Sequence, residues 1–297
     1  MLHDPLLRLA PVIPMTRSHS GQVPTAHRRV RGLHVTVTGT GPELLLLHGT
    51  AASGESWRHL LPALAQRCRV VVPDLPGHGR SADPGRHGYT PEAMTAALAA
   101  MLDVLQARPR LIVGHSAGAV LAASLLLDGA GDGAAMVAVA PAMLGFGGGR
   151  QTLFSGLAKL LAVNPLVPQL VAWRARDRQA VERLLRGIGA DLNTGGVERY
   201  AALFRQPGHI AAVLKMMANW DLESLEQRLP QLGDRVLLIT GGRDRAVPDA
   251  EIRRLQQRLP GAARVDVANA GHLVHEEKPY AVLNAMRTWA GGRGIDL

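Results

Sequence analysis

Polar and apolar positions follow two rhythms along this chain. In the first, short apolar runs alternate with stretches of helical spacing. Residues 34–38 alternate like a half-exposed strand, and residues 44–47, 69–72, 111–113 and 136–140 read as buried strands. Helical spacing recurs between them at residues 57–66, 91–105 and 117–127, with Pro91 behind Thr90 marking a helix start. From residue 141 to about 233 the rhythm changes: amphipathic helical stretches are broken by Gly and Pro, and no strand stands out. The first rhythm then returns, with strands at 236–239 and 264–267 and helices at 248–259 and 279–289. Strands alternating with helices predict an α/β fold with a mainly parallel sheet. The interruption predicts a helical cap over residues 141–233, inserted into a core of residues 25–140 and 234–297 and preceded by an arm of residues 1–24. The glycine-rich stretch 145–149 is a hinge candidate at the cap's entrance.

Composition narrows the picture. The chain has 297 residues, 47% of them hydrophobic, enough to bury a large core. Its one cysteine, Cys68, excludes an internal disulfide framework and a cysteine-built metal site, suits a reducing compartment, and reads as a small buried hydrophobe. The formal net charge is +9, almost all of the base being arginine. Part of that excess is local, because no acidic residue lies between Asp4 and Glu43, where Arg8, Arg17, Arg28, Arg29 and Arg31 occur. The arm reads as a solvated basic segment, with peripheral contact to an anionic membrane left open. No nucleic-acid motif accompanies it, so no nucleic-acid partner is expected. Pro5, Pro11 and Pro14, with Asp4 and Arg8, break up any signal-peptide core. Residues 153–173 come nearest to a membrane span but contain Lys159, Asn164, Pro165 and Pro168, and read instead as apolar cap helices. A cytoplasmic location is expected.

The chemistry centres on the run Gly114, His115, Ser116, Ala117, Gly118, between a strand and a helix. A serine hydroxyl is a weak nucleophile and must be presented sharply to a base; a tight strand-to-helix turn does this, and its glycines relieve the crowding. Asp244, in Gly241-Gly242-Arg243-Asp244, and His272, after Gly271, lie just past two later strands. Parallel sheets place ligand sites at those strand ends. Ser116 is thus the expected nucleophile, His272 its base and Asp244 the acid that orients the base. His275 is a competing base, with His272 preferred. Asp74 is an alternative acid, although its simpler role is to hydrogen-bond the loop that follows it. The segment from His272 to Glu276 lacks a metal-site pattern, and no metal is expected. The backbone N–H groups of Thr50 and Ala117 are the expected oxyanion donors. His48 is expected to pack under its loop, and His115 to face a neighbouring strand.

These landmarks resemble the α/β-hydrolase superfamily: His48-Gly49, residues 74–81, the Ser116 turn, Gly242-Arg243-Asp244 and Gly271-His272 stand in the family's order. The resemblance covers about residues 25–290 and implies an eight-stranded, mostly parallel sheet with a cap between strands six and seven. It also implies an esterase-like serine hydrolase that needs no cofactor. Within the cap, residues 153–173, 183–189 and 216–222 are similar to the magnesium-chelatase accessory family of bacteriochlorophyll biosynthesis. That likeness implies a photosynthetic bacterium, a cytoplasmic or membrane-peripheral location, and a tetrapyrrole or magnesium chelatase as partner. Flexible methionines and broad aromatic faces suit an apolar substrate, so Met143, Phe146, Trp173, Met217 and Trp220 are expected to line its site. Three functions remain open at this point: a serine hydrolase, a non-catalytic accessory protein that binds a porphyrin or supports the chelatase, and a membrane-associated lipase-like enzyme.

Overall fold

A computed structural model describes residues 24–131, 133–145 and 164–297. Eight strands form one sheet in the order β1-β2-β4-β3-β5-β6-β7-β8. They are β1 Thr25–Val30, β2 Leu33–Thr38, β3 Glu43–Leu47, β4 Arg69–Pro73, β5 Leu111–His115, β6 Ala135–Val139, β7 Val236–Gly241 and β8 Ala263–Val267. β2 runs antiparallel to both β1 and β4, and every later pairing is parallel. The eight-stranded, mostly parallel sheet of an α/β-hydrolase fold is therefore present.

Successive side chains leave a strand on opposite faces. Leu45 and Leu47 of β3 accordingly enter one apolar cluster while Leu44 and Leu46 enter the other. That two-sided burial explains why the central strands read as continuous apolar runs rather than alternating ones. β1 was not apparent as a strand in the sequence. It carries Arg28 and Arg29, is mostly exposed and sits at the sheet's edge, where nothing selects an apolar pattern.

Helices cover both faces. The short α1, Leu61–Leu64, stands where residues 57–66 predict a longer helix. A 3₁₀ turn, Gly54–Trp57, precedes it, and Pro62 lacks the N–H needed to join the two. α2, Pro91–Val104, starts as predicted, with Thr90 Oγ1 accepting from the Ala93 N–H at 3.2 Å. α3, Ala117–Leu127, is buried along nearly its whole length. Between β6 and β7 lie α4 Leu166–Arg174, α5 Arg178–Gly187, α6 Thr194–Phe204, α7 Pro207–Ala218 and α8 Glu223–Arg228. The core closes with α9 Asp249–Arg258, α10 Val274–Glu277 and α11 Pro279–Gly291. The helices between β6 and β7 have a small core of their own, in which Val181, Leu185, Tyr200 and Phe204 pack with Ala52 and Leu273. Among the described residues, no helix is long and apolar enough to cross a membrane. Phe146, the hinge candidate beyond Gly145, and the arm up to residue 23 lie outside the described residues.

Candidate active site

Ser116 sits between β5 and α3 with φ 51° and ψ −117°, a backbone conformation that a non-glycine residue holds only under constraint. The constraint is close packing of backbone on backbone. A Cβ on Gly114 would lie 2.4 Å from the Gly118 carbonyl oxygen, and one on Gly118 would lie 2.4 Å from that of Leu47. Glycine at both places lets α3 rest on the ends of β3 and β5. The loop after β3 is just as near, since a Cβ on Gly49 would lie 3.0 Å from Ser116 Cβ.

Three chain-distant side chains meet at this rim. His272 Nδ1 lies 2.9 Å from Asp244 Oδ2, and His272 Nε2 lies 3.0 Å from Ser116 Oγ. An ionised carboxylate only accepts, so the proton is on Nδ1, and Nε2 is left to accept from the serine hydroxyl. Asp244 Oδ1 accepts the N–H groups of Ala246 and Val247 at 2.8 and 2.9 Å, which fixes the carboxylate while leaving Oδ2 for the imidazole. The Asp244 side chain is 3% exposed and that of His272 is 9% exposed, so water competes little for these bonds.

Ala117 follows Ser116 directly, and Thr50 follows Gly49, where an added Cβ would lie 3.0 Å from Ser116 Cβ. Among the described residues neither N–H is engaged in a hydrogen bond, and Ala117 opens α3, where helix N–H groups lack partners within the helix. Thr50 Oγ1 donates to Met216 Sδ at 3.8 Å, so α7 touches this loop. His48 is buried and bridges two loops: Nδ1 donates to the Gly49 carbonyl at 2.8 Å, and Nε2 accepts from the Leu75 N–H at 2.9 Å. Burial lowers its pKa and keeps it neutral.

His275, the competing base, does not reach Ser116. It is buried in α10 against Trp57 and His115, with ring centroids 4.6 and 4.4 Å away, and neither ring nitrogen has a hydrogen-bond partner. Burial pushes its pKa down to about 3, so it stays neutral. His115 faces the base loop rather than a strand: its Nε2 donates to the His272 carbonyl at 3.0 Å. Asp74 spends its carboxylate locally, on the N–H groups of Gly54 at 2.7 Å and Arg80 at 2.9 Å.

Of the expected apolar wall, Met143 and Trp220 belong to one cluster. Met143 is buried in the main core cluster, Met217 and Trp220 are half-buried, Trp173 is 61% exposed, and Phe146 is outside the described residues. A cleft of about 580 Å³ opens beside Asp244 between the turn after α5 and the loop after β7, lined by Arg186, Asp191, Arg243 and Arg245 among others. Met143, Trp173, Met217 and Trp220 do not line it. Among the described residues, no group of three or more His, Cys, Asp or Glu is arranged to hold a metal ion. The contacts missing from the sequence reading are those of Tyr200, whose hydroxyl donates to buried Glu276 at 2.8 Å, and of Glu277, which accepts from the Gly271 N–H. The acidic pair beside His272 was the available signal.

The sequence profile described as the alpha/beta hydrolase family matches residues 44–286. The chain is 36% identical over 271 residues to the magnesium-chelatase 30 kDa subunit of Rhodobacter capsulatus, covering 90% of this chain and 94% of that protein. It is 29% identical over 272 residues to the pimeloyl-[acyl-carrier protein] methyl ester esterase of Stenotrophomonas maltophilia, covering 84% and 95%. The solved structure of the epoxide hydrolase CorEH without ligand superposes with a TM-score of 0.74 at 23% identity, covering 91% of this chain and 99% of that one.

Proposed function

The chain belongs to the alpha/beta hydrolase family, and from that premise we propose that it is a serine hydrolase cleaving an ester or related acyl bond. The observation that carries this reading is the unbroken relay from Asp244 through His272 to Ser116, with bonds of 2.9 and 3.0 Å. Ser116 Oγ attacks the acyl carbon as His272 Nε2 takes its proton. Asp244 holds the imidazole and stabilises the imidazolium that forms. The N–H groups of Thr50 and Ala117 hold the oxyanion of the tetrahedral intermediate, each worth a factor of about 10² to 10³ in rate. His272 then passes the proton to the leaving group, and water activated by the same nitrogen releases the acyl group and restores Ser116. The scheme uses the chain's own groups alone.

The test is Ser116→Ala. Turnover of an activated ester and labelling by a fluorophosphonate should both vanish while the protein stays folded. Labelling equal to that of the unaltered chain would overturn the assignment.

The substrate is an apolar small molecule that enters under the cap, with Met143, Phe146, Trp173, Met217 and Trp220 as the side chains to vary. A second reading is favoured by the 36% identity to a protein named as a magnesium-chelatase subunit. In it the chain serves bacteriochlorophyll biosynthesis in the cytoplasm or at a membrane surface, binding a tetrapyrrole or assisting the chelatase without turnover. Complementation separates the two. Full restoration of pigment by the Ser116→Ala chain supports the accessory role, and failure to restore it supports catalysis.

A further inference from the structure

We propose that Glu277 is a positioning residue, whose buried carboxylate keeps the loop bearing His272 in register with the loop bearing Asp244. The proposal rests on the serine-hydrolase reading and extends it to a group outside the triad.

Glu277 ends α10, and its side chain is 3% exposed, a rare state for a carboxylate without work for its oxygens. Its Oε1 accepts the N–H of Gly271, the residue just before the base, at 3.0 Å. Arg243, the residue just before the acid, brings Nη2 to 3.8 Å from Oε2, an ion-pair approach beyond hydrogen-bond reach that leaves Oε2 without a hydrogen bond among the described residues, and the same guanidinium donates to the Asn269 carbonyl at 2.7 Å. One carboxylate therefore faces both loops next to their functional residues.

The backbone around it is a three-way junction. The Arg243 N–H donates to the Ala270 carbonyl at 2.8 Å, tying acid loop to base loop. The Arg245 N–H donates to the Ile188 carbonyl at 3.2 Å, tying acid loop to the turn after α5. At Gly189, where φ is +84°, a Cβ would lie 2.1 Å from the Arg243 carbonyl oxygen, and a Cβ on Gly271 would lie 2.0 Å from that of Gly189. Glycines let the three segments touch; Glu277 is the side chain that pins them. Burial, the largest influence, raises its pKa, while the N–H groups of Gly271 and Asp191 and the Arg243 charge work the other way.

A base held between two partners at about 3 Å tolerates little drift. A misplacement near 1 Å can cost about 10²-fold in rate. Neighbouring Glu276 supplies a control, because it binds Tyr200 of α6 and Arg58 and not the junction. Steady-state ester kinetics, fluorophosphonate labelling rates and Tm are measured for Glu277→Ala, Glu277→Gln, Glu277→Asp, Tyr200→Phe and Ser116→Ala. Glu277→Ala should lower kcat about 10²-fold with KM within about twofold. Glu277→Gln, whose amide oxygen still accepts the Gly271 N–H, should recover to within about fivefold of the unaltered chain. Tyr200→Phe should lower Tm without a matching loss of kcat. An unimpaired Glu277→Ala, or one impaired only as far as its folded fraction falls, overturns the proposal. If Glu277→Ala does not fold, Glu277→Asp carries the test, since its shortened side chain should turn over at least about tenfold more slowly than Glu277→Gln; equal rates overturn the proposal. A dead Ser116→Ala beside an unimpaired Glu277→Ala removes the positioning role alone, whereas labelling of Ser116→Ala removes the hydrolase reading beneath it.

Discussion

Asp74 and Asp244 occupy comparable places, each just beyond the carboxyl end of a strand, and yet they do different things. The difference lies in which oxygens the local backbone claims. Around Asp244, the turn into α9 offers two N–H groups to the same oxygen, Oδ1, and Oδ2 remains for an imidazole from a distant loop. Around Asp74, the N–H of Gly54 takes one oxygen and the N–H of Arg80 takes the other, while His34 Nδ1 of β2 stands 3.3 Å from Oδ2. A Cβ on Gly79 would lie 2.5 Å from Asp74 Oδ2, so the second loop is wrapped around its own carboxylate. An acid whose two oxygens are divided between separate loops acts as a staple; one with an oxygen to spare can orient a base.

The largest test of this contrast is exchange of each acid for its amide. Asp244→Asn should lower kcat by about 10⁴-fold with little change in Tm, because an amide can present its NH₂ to the imidazole and favour the wrong tautomer. A small effect on kcat would erase the distinction. The complementary change, Asp74→Ala, should leave kcat of the folded protein near its original value but cost about 2 kcal/mol of stability, as two part-buried N–H groups lose their carboxylate acceptor. Denaturant unfolding measures the cost, and an unchanged midpoint would show that the staple holds nothing.

Acidification is the mildest test and bears on both loops. His78 and His209 border the Asp74 loop, with His209 Nδ1 accepting from the Gly79 N–H at 3.3 Å, while His115 and His275 border the base loop. Burial lowers the pKa of all four, to about 4 for His209 and about 3 for His275. Between the ordinary value of 6.5 and those values the unfolded chain binds protons that the folded chain refuses, so stability is lost as the pH is lowered through that window. His275 alone accounts for about 2 kcal/mol at pH 5. Glu276 and Glu277, whose pKa values are raised by burial, act in the opposite sense but are fewer. Tm should therefore drop by several degrees from pH 7 to pH 5, and His275→Phe, which cannot take up a proton, should flatten the slope. A pH-independent Tm would contradict this account.

The fold was legible because its central strands are buried on both faces, and their apolar runs announce them. Ser116 and Asp244 were legible because each follows such a run, and His272 because it follows the strand read at residues 264–267, although that strand is largely exposed at the sheet's end. What escaped the sequence reading depends on partners far along the chain. β1 has no apolar alternation because the edge demands none, and the helix predicted over residues 57–66 is cut where Pro62 removes a donor. That His115 serves the base loop, and that Glu276 and Glu277 are buried, follows from contacts with residues 272, 200 and 271, which no local pattern encodes. The walls of the substrate site were least legible, since methionines and aromatics at helical spacing serve a helix core as readily as a ligand.

The placement of β1 has a consequence for solubility. A marginal strand offers a ladder of unpaired amides and carbonyls onto which another molecule could add its own strand. Among the described residues β1 is such an edge strand, and its exposed Arg28 and Arg29 crowd positive charge along it. A second copy docking there would bring its guanidinium groups against the first. The arginines that give this chain much of its basic excess near the amino end thereby discourage edge-to-edge polymerisation.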